Sequence, residues 1–218
     1  ICLSKPYYSS DCHIIIDNSA SMHYPIAKNQ DIVGGLYIPG DGQADPEILS
    51  KTIAMAAQKE GARIIESCSL KKILTRNNQV RGVRTNLGTI EAEYVVLCSG
   101  MWSRQIGEAA GVSIPLYPNE HFYMITEKLK NLPKTLPTFR DPNNYLYLRE
   151  YHQSLLIGIF EPNAKNAFKK TNKVPEDFSF GEFKVNQNYV RTLQRLAAKR
   201  IPSIKKTKIE KYFSGPES

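Results

Sequence analysis

The chain has 218 residues, 41% of them hydrophobic and 23% charged, with a formal net charge of +8. This composition supports one good core or two small ones and excludes a disordered polymer. No apolar run approaches the roughly 20 residues of a membrane span. The start Ile1-Cys2-Leu3-Ser4-Lys5 lacks the basic and apolar regions of a secretory signal, and a first residue other than Met points to an internal piece of a longer product.

In chain order, the first motif is Ile14-Ile15-Ile16-Asp17-Asn18-Ser19-Ala20-Ser21. An apolar strand before Asp-x-Ser-x-Ser resembles the Mg²⁺ site of von Willebrand A-type adhesion modules, which hold the ion through hard oxygens. That fold also needs distant Thr and Asp ligands on further alternating elements, and the chain beyond Ser21 takes a different course. Cys2, Cys12, Cys68 and Cys98 show no C-x-x-C spacing. Cys68 and Cys98 fall in expected strands, so buried reduced thiols are favoured over disulfides or a metal site, and no metal site is expected.

Leu36 to Ile38, then Gly40-Asp41-Gly42-Gln43-Ala44-Asp45 before a helix, mimics a dinucleotide fingerprint, with Glu66 as its acidic partner. The third glycine is replaced by Asp45. A carboxylate there competes for the amides that a pyrophosphate needs and adds repulsion. Asp45-Pro46 instead reads as an N-cap followed by proline in the first turn. Ile48, Leu49, Ile53, Ala56 and Ala57 give the helix one apolar face ending at Gly61.

A strand is expected over Ala62 to Ile65. A meander comes next, over Leu70 to Thr75, Val80 to Thr85 and Thr89 to Leu97, with Asn77-Asn78 and Leu87-Gly88 as breaks. Its last strand continues as Tyr94-Val95-Val96-Leu97-Cys98-Ser99-Gly100-Met101-Trp102-Ser103, a continuous apolar run ending in small residues before a helix-like stretch from Arg104 to Ala110. Runs of this kind suit strands buried on both faces, and small residues at the strand end admit a ligand to the backbone. The reading is a cofactor crevice.

After Pro115 apolar and polar residues alternate, as in a half-exposed antiparallel sheet. His121 and Tyr123, at i and i+2 on one expected strand, share a face. They suit either orientation of an amine and its proton or a cross-strand pair supporting the core. Val185, Tyr189, Val190, Leu193, Leu196 and Ala197 recur at helical spacing, so Arg191, Arg195 and Lys199-Arg200 read as the wet face of an amphipathic helix. The basic residues after Lys165 have no interleaved stacking aromatics, so no nucleic-acid partner is expected.

Four segments in order resemble a known family: the meander ending at Trp102; Gly34-Gly35-Leu36-Tyr37-Ile38-Pro39-Gly40-Asp41-Gly42-Gln43-Ala44-Asp45-Pro46; Glu120-His121-Phe122-Tyr123-Met124-Ile125-Thr126; and Tyr147-Leu148-Arg149-Glu150 with Leu155 to Pro162. From about Tyr24 to Ser218 the chain is similar to FAD-dependent amine oxidoreductases of the D-amino-acid oxidase type, sarcosine and dimethylglycine dehydrogenase branch. The resemblance implies a mixed α/β (α+β) fold, with a partial FAD-binding domain containing the β-meander and an antiparallel-sheet substrate domain. Residues 1–45 would begin the substrate sheet, 1–23 being poorly matched. Residues 46–112 would form part of the FAD-binding domain, and 113–218 the rest of the sheet and the amphipathic helix.

The resemblance also implies chemistry. FAD is the expected cofactor, with Leu70 on the adenine-contacting strand and Cys98, Ser99, Gly100 and Trp102 beside the flavin nucleotide. Cys98 and Ser99 stand where the family has two alanines. Tyr123 corresponds to the substrate-site tyrosine, with His121 beside it as a second catalytic candidate. Arg149 suits a substrate carboxylate, or else a surface salt bridge with Glu150 or Glu161. The implied reaction is oxidative demethylation of N-methylated glycines, sarcosine or dimethylglycine, by hydride transfer to FAD. The alternative is a non-catalytic homologue like the pyruvate dehydrogenase phosphatase regulatory subunit. The family further suggests the mitochondrial matrix, an electron-transfer flavoprotein as partner, and tetrahydrofolate bound by a C-terminal region beyond this chain. The family's G-x-G-x-x-G and flavin-linking histidine would lie upstream of Ile1, and its ring-closing loop after Ser218, so stable FAD binding is expected only of the full-length protein.

Overall fold

The structure, a computed structural model, describes the backbone of residues 13–15 and residues 23–217 in full. Cys2 and Cys12, and all of the Asp17 to Ser21 motif, lie outside the described residues. The chain divides into two units, each discontinuous in sequence. The first gathers residues up to Gln43, Phe122–Pro162 and Phe183–Ser214; the second gathers Ala44–His121, Asn163–Glu182 and Gly215–Ser218.

The first unit is built on antiparallel strands. β1 (His13–Ile15) pairs with β2 (Gly35–Tyr37). The main sheet has the order β10-β6-β9-β8-β7, from β6 (Asn119–Thr126), β7 (Phe139–Asp141), β8 (Leu146–Tyr151), β9 (Ser154–Ile159) and β10 (Ile209–Glu217). β6 and β10 begin or end in the second unit. Burial alternates along β6, where Phe122, Met124 and Thr126 are buried and His121, Tyr123 and Ile125 only partly so. The period of two thus sorts the strand into a core face and a second face. β9 is central and buried along its whole length, which explains the unbroken apolar run from Leu155 to Ile159.

The predicted amphipathic helix forms over Gln187–Arg200, with Asn186 capping it by accepting from the Asn188 N–H at 2.9 Å. Its buried Val190, Leu193, Ala197 and Ala198 share one core with Phe122, Met124, Leu148, Leu155 and Ile157. Full burial of one such side chain contributes about 1.5–3 kcal/mol. The expectation of a wholly wet basic face fails at Arg200, which is buried. Its Nε donates to Asp141 Oδ2 at 2.8 Å, and its Nη1 donates to Asp31 Oδ1 at 3.0 Å and to the Lys28 carbonyl. A buried guanidinium persists because carboxylates and a carbonyl saturate its fork of donors.

In the second unit, α1 (Pro46–Lys59) starts as the sequence predicts: Asp45 Oδ1 accepts from the Glu47 and Ile48 amides at 3.0 and 2.9 Å. The carboxylate occupies the donors a phosphate would need, so the apparent fingerprint is a cap. The meander is β3 (Leu70–Arg76), β4 (Gln79–Thr85) and β5 (Gly88–Glu91). Asn77 and Asn78 turn it with φ of +51° and +57°, a left-handed pair that asparagine tolerates.

Two expected strands differ. Ala62 to Ile65 and Tyr94 to Leu97 form no strand, and Ile64, Ile65, Tyr94 and Val96 are exposed. A strand exists only through ladder hydrogen bonds, and among the described residues neither segment has a pairing neighbour. The apolar face of α1 is likewise exposed at Ile48, Leu49 and Ile53. Cys68 and Cys98 lie outside strands and are half-buried and exposed respectively, so the expectation of thiols buried in strands is not met.

Candidate functional site

The main sheet's second face carries one continuous row. Register places Arg140 of β7 opposite Tyr147 of β8, Tyr147 opposite Gly158 of β9, and Gly158 opposite Tyr123 of β6. Directly paired residues project to the same side. The Tyr147 ring lies across Gly158: a Cβ built on that glycine would fall inside the van der Waals envelope of the phenol end of Tyr147. A glycine within a strand here marks a close side-chain approach. Tyr147 packs on Phe160 with ring centroids 5.0 Å apart, and the Arg140 guanidinium sits 5.0 Å from the Phe160 ring and 5.4 Å from the Tyr147 ring. Tyr123 stacks on Phe213 at 4.6 Å. Two phenols thus flank a position without a side chain, with a cation at one end.

Arg149 lies in the adjacent row, opposite Leu156, and donates to Gln43 Oε1 at 3.1 Å over the Tyr151 ring. Neither expected salt bridge forms, since Glu150 accepts from the Gln153 amide and no ion pair joins Arg149 to any described carboxylate. His121, on the same strand face as Tyr123, places Nδ1 3.2 Å from Glu217 Oε2 on the second unit's end of β10. Its side chain is 13% exposed. Sequence reasoning missed Tyr147, Gly158, Arg140 and Glu217. The signals were a tyrosine two residues before Arg149, hence on its face, and a glycine interrupting an apolar strand.

A cleft of about 1150 Å³ opens in the first unit between residues 31–43 and 134–144. Of the row it meets only Arg140, and none of the site residues expected from the sequence lines it.

The cofactor candidates lie together in the second unit. Cys98 and Gly100 are exposed, Ser99 and Trp102 partly so, and Gly100 has φ +52° with nothing within 4 Å of where a Cβ would stand. A one-turn 3-10 helix, Gly100–Trp102, begins there, and Ser99 Oγ lies 3.0 Å from Ser103 Oγ. The backbone from 98 to 100 is therefore open to a flat or extended ligand. Small side chains and open backbone fit a nucleotide laid along the main chain. Leu70 starts β3, half-buried opposite Thr85. Among the described residues no group of His, Cys, Asp or Glu could hold a metal ion.

Comparison with known proteins decides the family. The family described as FAD dependent oxidoreductase matches residues 10–218. This chain belongs to that family. It is 32% identical over 216 residues to mouse mitochondrial sarcosine dehydrogenase, covering 97% of this chain and 23% of that protein. Human mitochondrial dimethylglycine dehydrogenase is 28% identical over 216 residues, covering 96% and 25%. The mitochondrial pyruvate dehydrogenase phosphatase regulatory subunit of mouse is 29% identical over 208 residues, covering 94% and 23%. Among solved structures, L-proline dehydrogenase from P. horikoshii superposes with a TM-score of 0.77 at 24% identity, over 94% of this chain and 52% of that one. The chain spans about a quarter of the length of the curated relatives it matches. The chain is mixed α/β with antiparallel sheets, the fold of its structural neighbours. No helix among its described residues is long and apolar enough to cross a membrane.

Proposed function

We propose that the full-length protein oxidises an N-methylated glycine, sarcosine or dimethylglycine, at the carbon beside nitrogen. The row Tyr123, Gly158, Tyr147 and Arg140 carries the reading, because it offers phenols to an amine and a guanidinium to a carboxylate on one sheet face. FAD, held along Cys98, Ser99, Gly100, Trp102 and the Leu70 strand, supplies the hydride acceptor when bound.

The amine, secondary in sarcosine and tertiary in dimethylglycine, arrives protonated at neutral pH as aliphatic amines do, and hydride loss needs its lone pair. The residues of this chain therefore have two tasks. Tyr123 and Tyr147 orient the amine through their hydroxyls, and His121 accepts its proton at an imidazole nitrogen. Arg149 and Arg140 are the carboxylate candidates. Arg140 stands in the row itself without a carboxylate partner among the described residues, whereas Arg149 is engaged by Gln43. The likeness to dehydrogenases named as mitochondrial supports a mitochondrial location for the full-length protein. The matrix, an electron-transfer flavoprotein as acceptor and a C-terminal tetrahydrofolate site are part of the same reading and rest on the family resemblance alone.

The test is anaerobic mixing of FAD-reconstituted full-length protein with sarcosine or dimethylglycine, with flavin absorbance as the readout. Bleaching supports the dehydrogenase. A protein that retains FAD yet is reduced by neither amine supports the second reading, a regulatory homologue, which the 29% identity to the phosphatase regulatory subunit favours.

A further inference from the structure

We infer that Glu217 is a positioning residue for His121, the two forming a carboxylate–imidazole pair that readies the imidazole to take the proton of the substrate amine. This rests on the dehydrogenase reading of the site. His121 Nδ1 lies 3.2 Å from Glu217 Oε2, and the imidazole is 13% exposed while the carboxylate is about half exposed. Sheet order makes the pair possible, because β6 and β10 are neighbours and both residues belong to the second unit. Among the described residues, Glu120 alternates to the opposite face of β6 and its amide donates to the Lys165 carbonyl, and Lys169 and Lys170 line the same surface as Glu120 and Lys165.

A neutral imidazole has one donor nitrogen and one acceptor nitrogen, and the partner of the first decides which is which. A carboxylate at Nδ1 keeps the proton there and leaves Nε2 as the base. In the proton step the N–H bond of the substrate ammonium breaks, its electron pair stays on nitrogen, and the proton bonds to Nε2. The resulting imidazolium then faces a carboxylate 3.2 Å away, so the charge it gains is stabilised where it forms. A surface ion pair between the same residues would contribute little to stability and nothing to this step. The two roles therefore predict different measurements.

The experiment uses FAD-reconstituted full-length protein with Glu217→Gln, Glu217→Asp and His121→Asn. Flavin reduction by sarcosine and by dimethylglycine is monitored across pH in single turnovers. In parallel, histidine ring NMR is titrated on flavin-free protein, with the His121 signal assigned by its absence from His121→Asn. Glu217→Gln is expected to slow reduction by about tenfold, as loss of a partner orienting a histidine typically does, with substrate affinity nearly unchanged. It should also move both the acid limb of the rate profile and the His121 titration to lower pH, and Glu217→Asp should restore most of the rate. An unmoved titration and profile in Glu217→Gln would overturn the pairing. If His121→Asn reduces as fast as the parent, or neither amine reduces the parent, the dehydrogenase reading of His121 fails instead, while the titration still reports whether the pair exists.

Discussion

Replacing Gly158 with alanine tests the row across the sheet most directly. An added methyl would collide with the phenol end of Tyr147. Carbon atoms need about 3.5 Å between them, so the ring must withdraw by about 1.5 Å. The obstructing atoms are the far end of a side chain, so the sheet itself need not move and the ladder from Tyr123 through Gly158 to Tyr147 can persist. What is lost is the stacking of Tyr147 on Phe160, about 0.5–1.5 kcal/mol, and the contact with Arg140, about 0.5–1 kcal/mol at an exposed site. The stability cost is thus about 1–2.5 kcal/mol, a fall of several degrees in Tm for a domain of this size. A displacement of 1 Å in a positioning group can cost about 10²-fold in rate. Gly158→Ala in the FAD-loaded full-length protein should therefore lower flavin reduction by about 10²-fold while retaining flavin. Thermal melting and stopped-flow reduction separate the two effects. A variant with a lowered Tm but unchanged reduction rate would show that Tyr147 only packs, and the row would lose its claim on substrate.

Tyr123→Phe keeps the stacking on Phe213 and removes only the hydroxyl; flavin content and Tm should hold while reduction slows at least about tenfold, below the 10²–10⁴ typical of proton-transfer groups because water partly substitutes. Gly100→Asn and Gly100→Val separate conformation from ligand: at φ +52° asparagine is tolerated and valine strained by about 1–2 kcal/mol, but both side chains enter the open space, so both should lose FAD and only Val should also lower the Tm. Arg200→Met leaves Asp141 buried without its cation and should cost about 3–5 kcal/mol in chemical denaturation. The same change bears on pH. Partial desolvation raises the Asp31 carboxyl, yet Arg200, a backbone hydrogen bond and Lys199 outweigh it and hold the pKa below its ordinary value. A depressed carboxylate stabilises the fold above its unfolded pKa, and this is lost as pH falls through the lowered value, so the acid limb of the parent's stability curve should be shallower in Arg200→Met. Tyr24 has a buried hydroxyl with no partner among the described residues, and burial pushes its phenol far upward; Tyr24→Phe should raise stability by about 1 kcal/mol, since no hydrogen bond is lost.

Much of this protein was legible in local chemistry. Asp45 before Pro46 determined where the first helix starts, because a carboxylate beside two free amides needs nothing from the rest of the fold. Asn77-Asn78 determined the meander turn, and helical spacing from Val185 to Ala197 determined which face of the last helix is buried. Sequence order alone also carried the family resemblance.

Other features depend on residues far apart in the chain. Ala62 to Ile65 and Tyr94 to Leu97 have strand-like composition, but a strand requires a hydrogen-bonded neighbour, and none stands beside them among the described residues. Arg200 looked like one more cation on a wet face; Asp141, 59 residues away, and Asp31, 169 away, made it a buried one. The placement of Tyr147 beside Tyr123 is set by the register of both strands against Gly158, and Glu217 reaches His121 only because β10 lies beside β6. Residue type and spacing decide what a segment can do locally. Strand register, which no single segment contains, decides which of those groups meet.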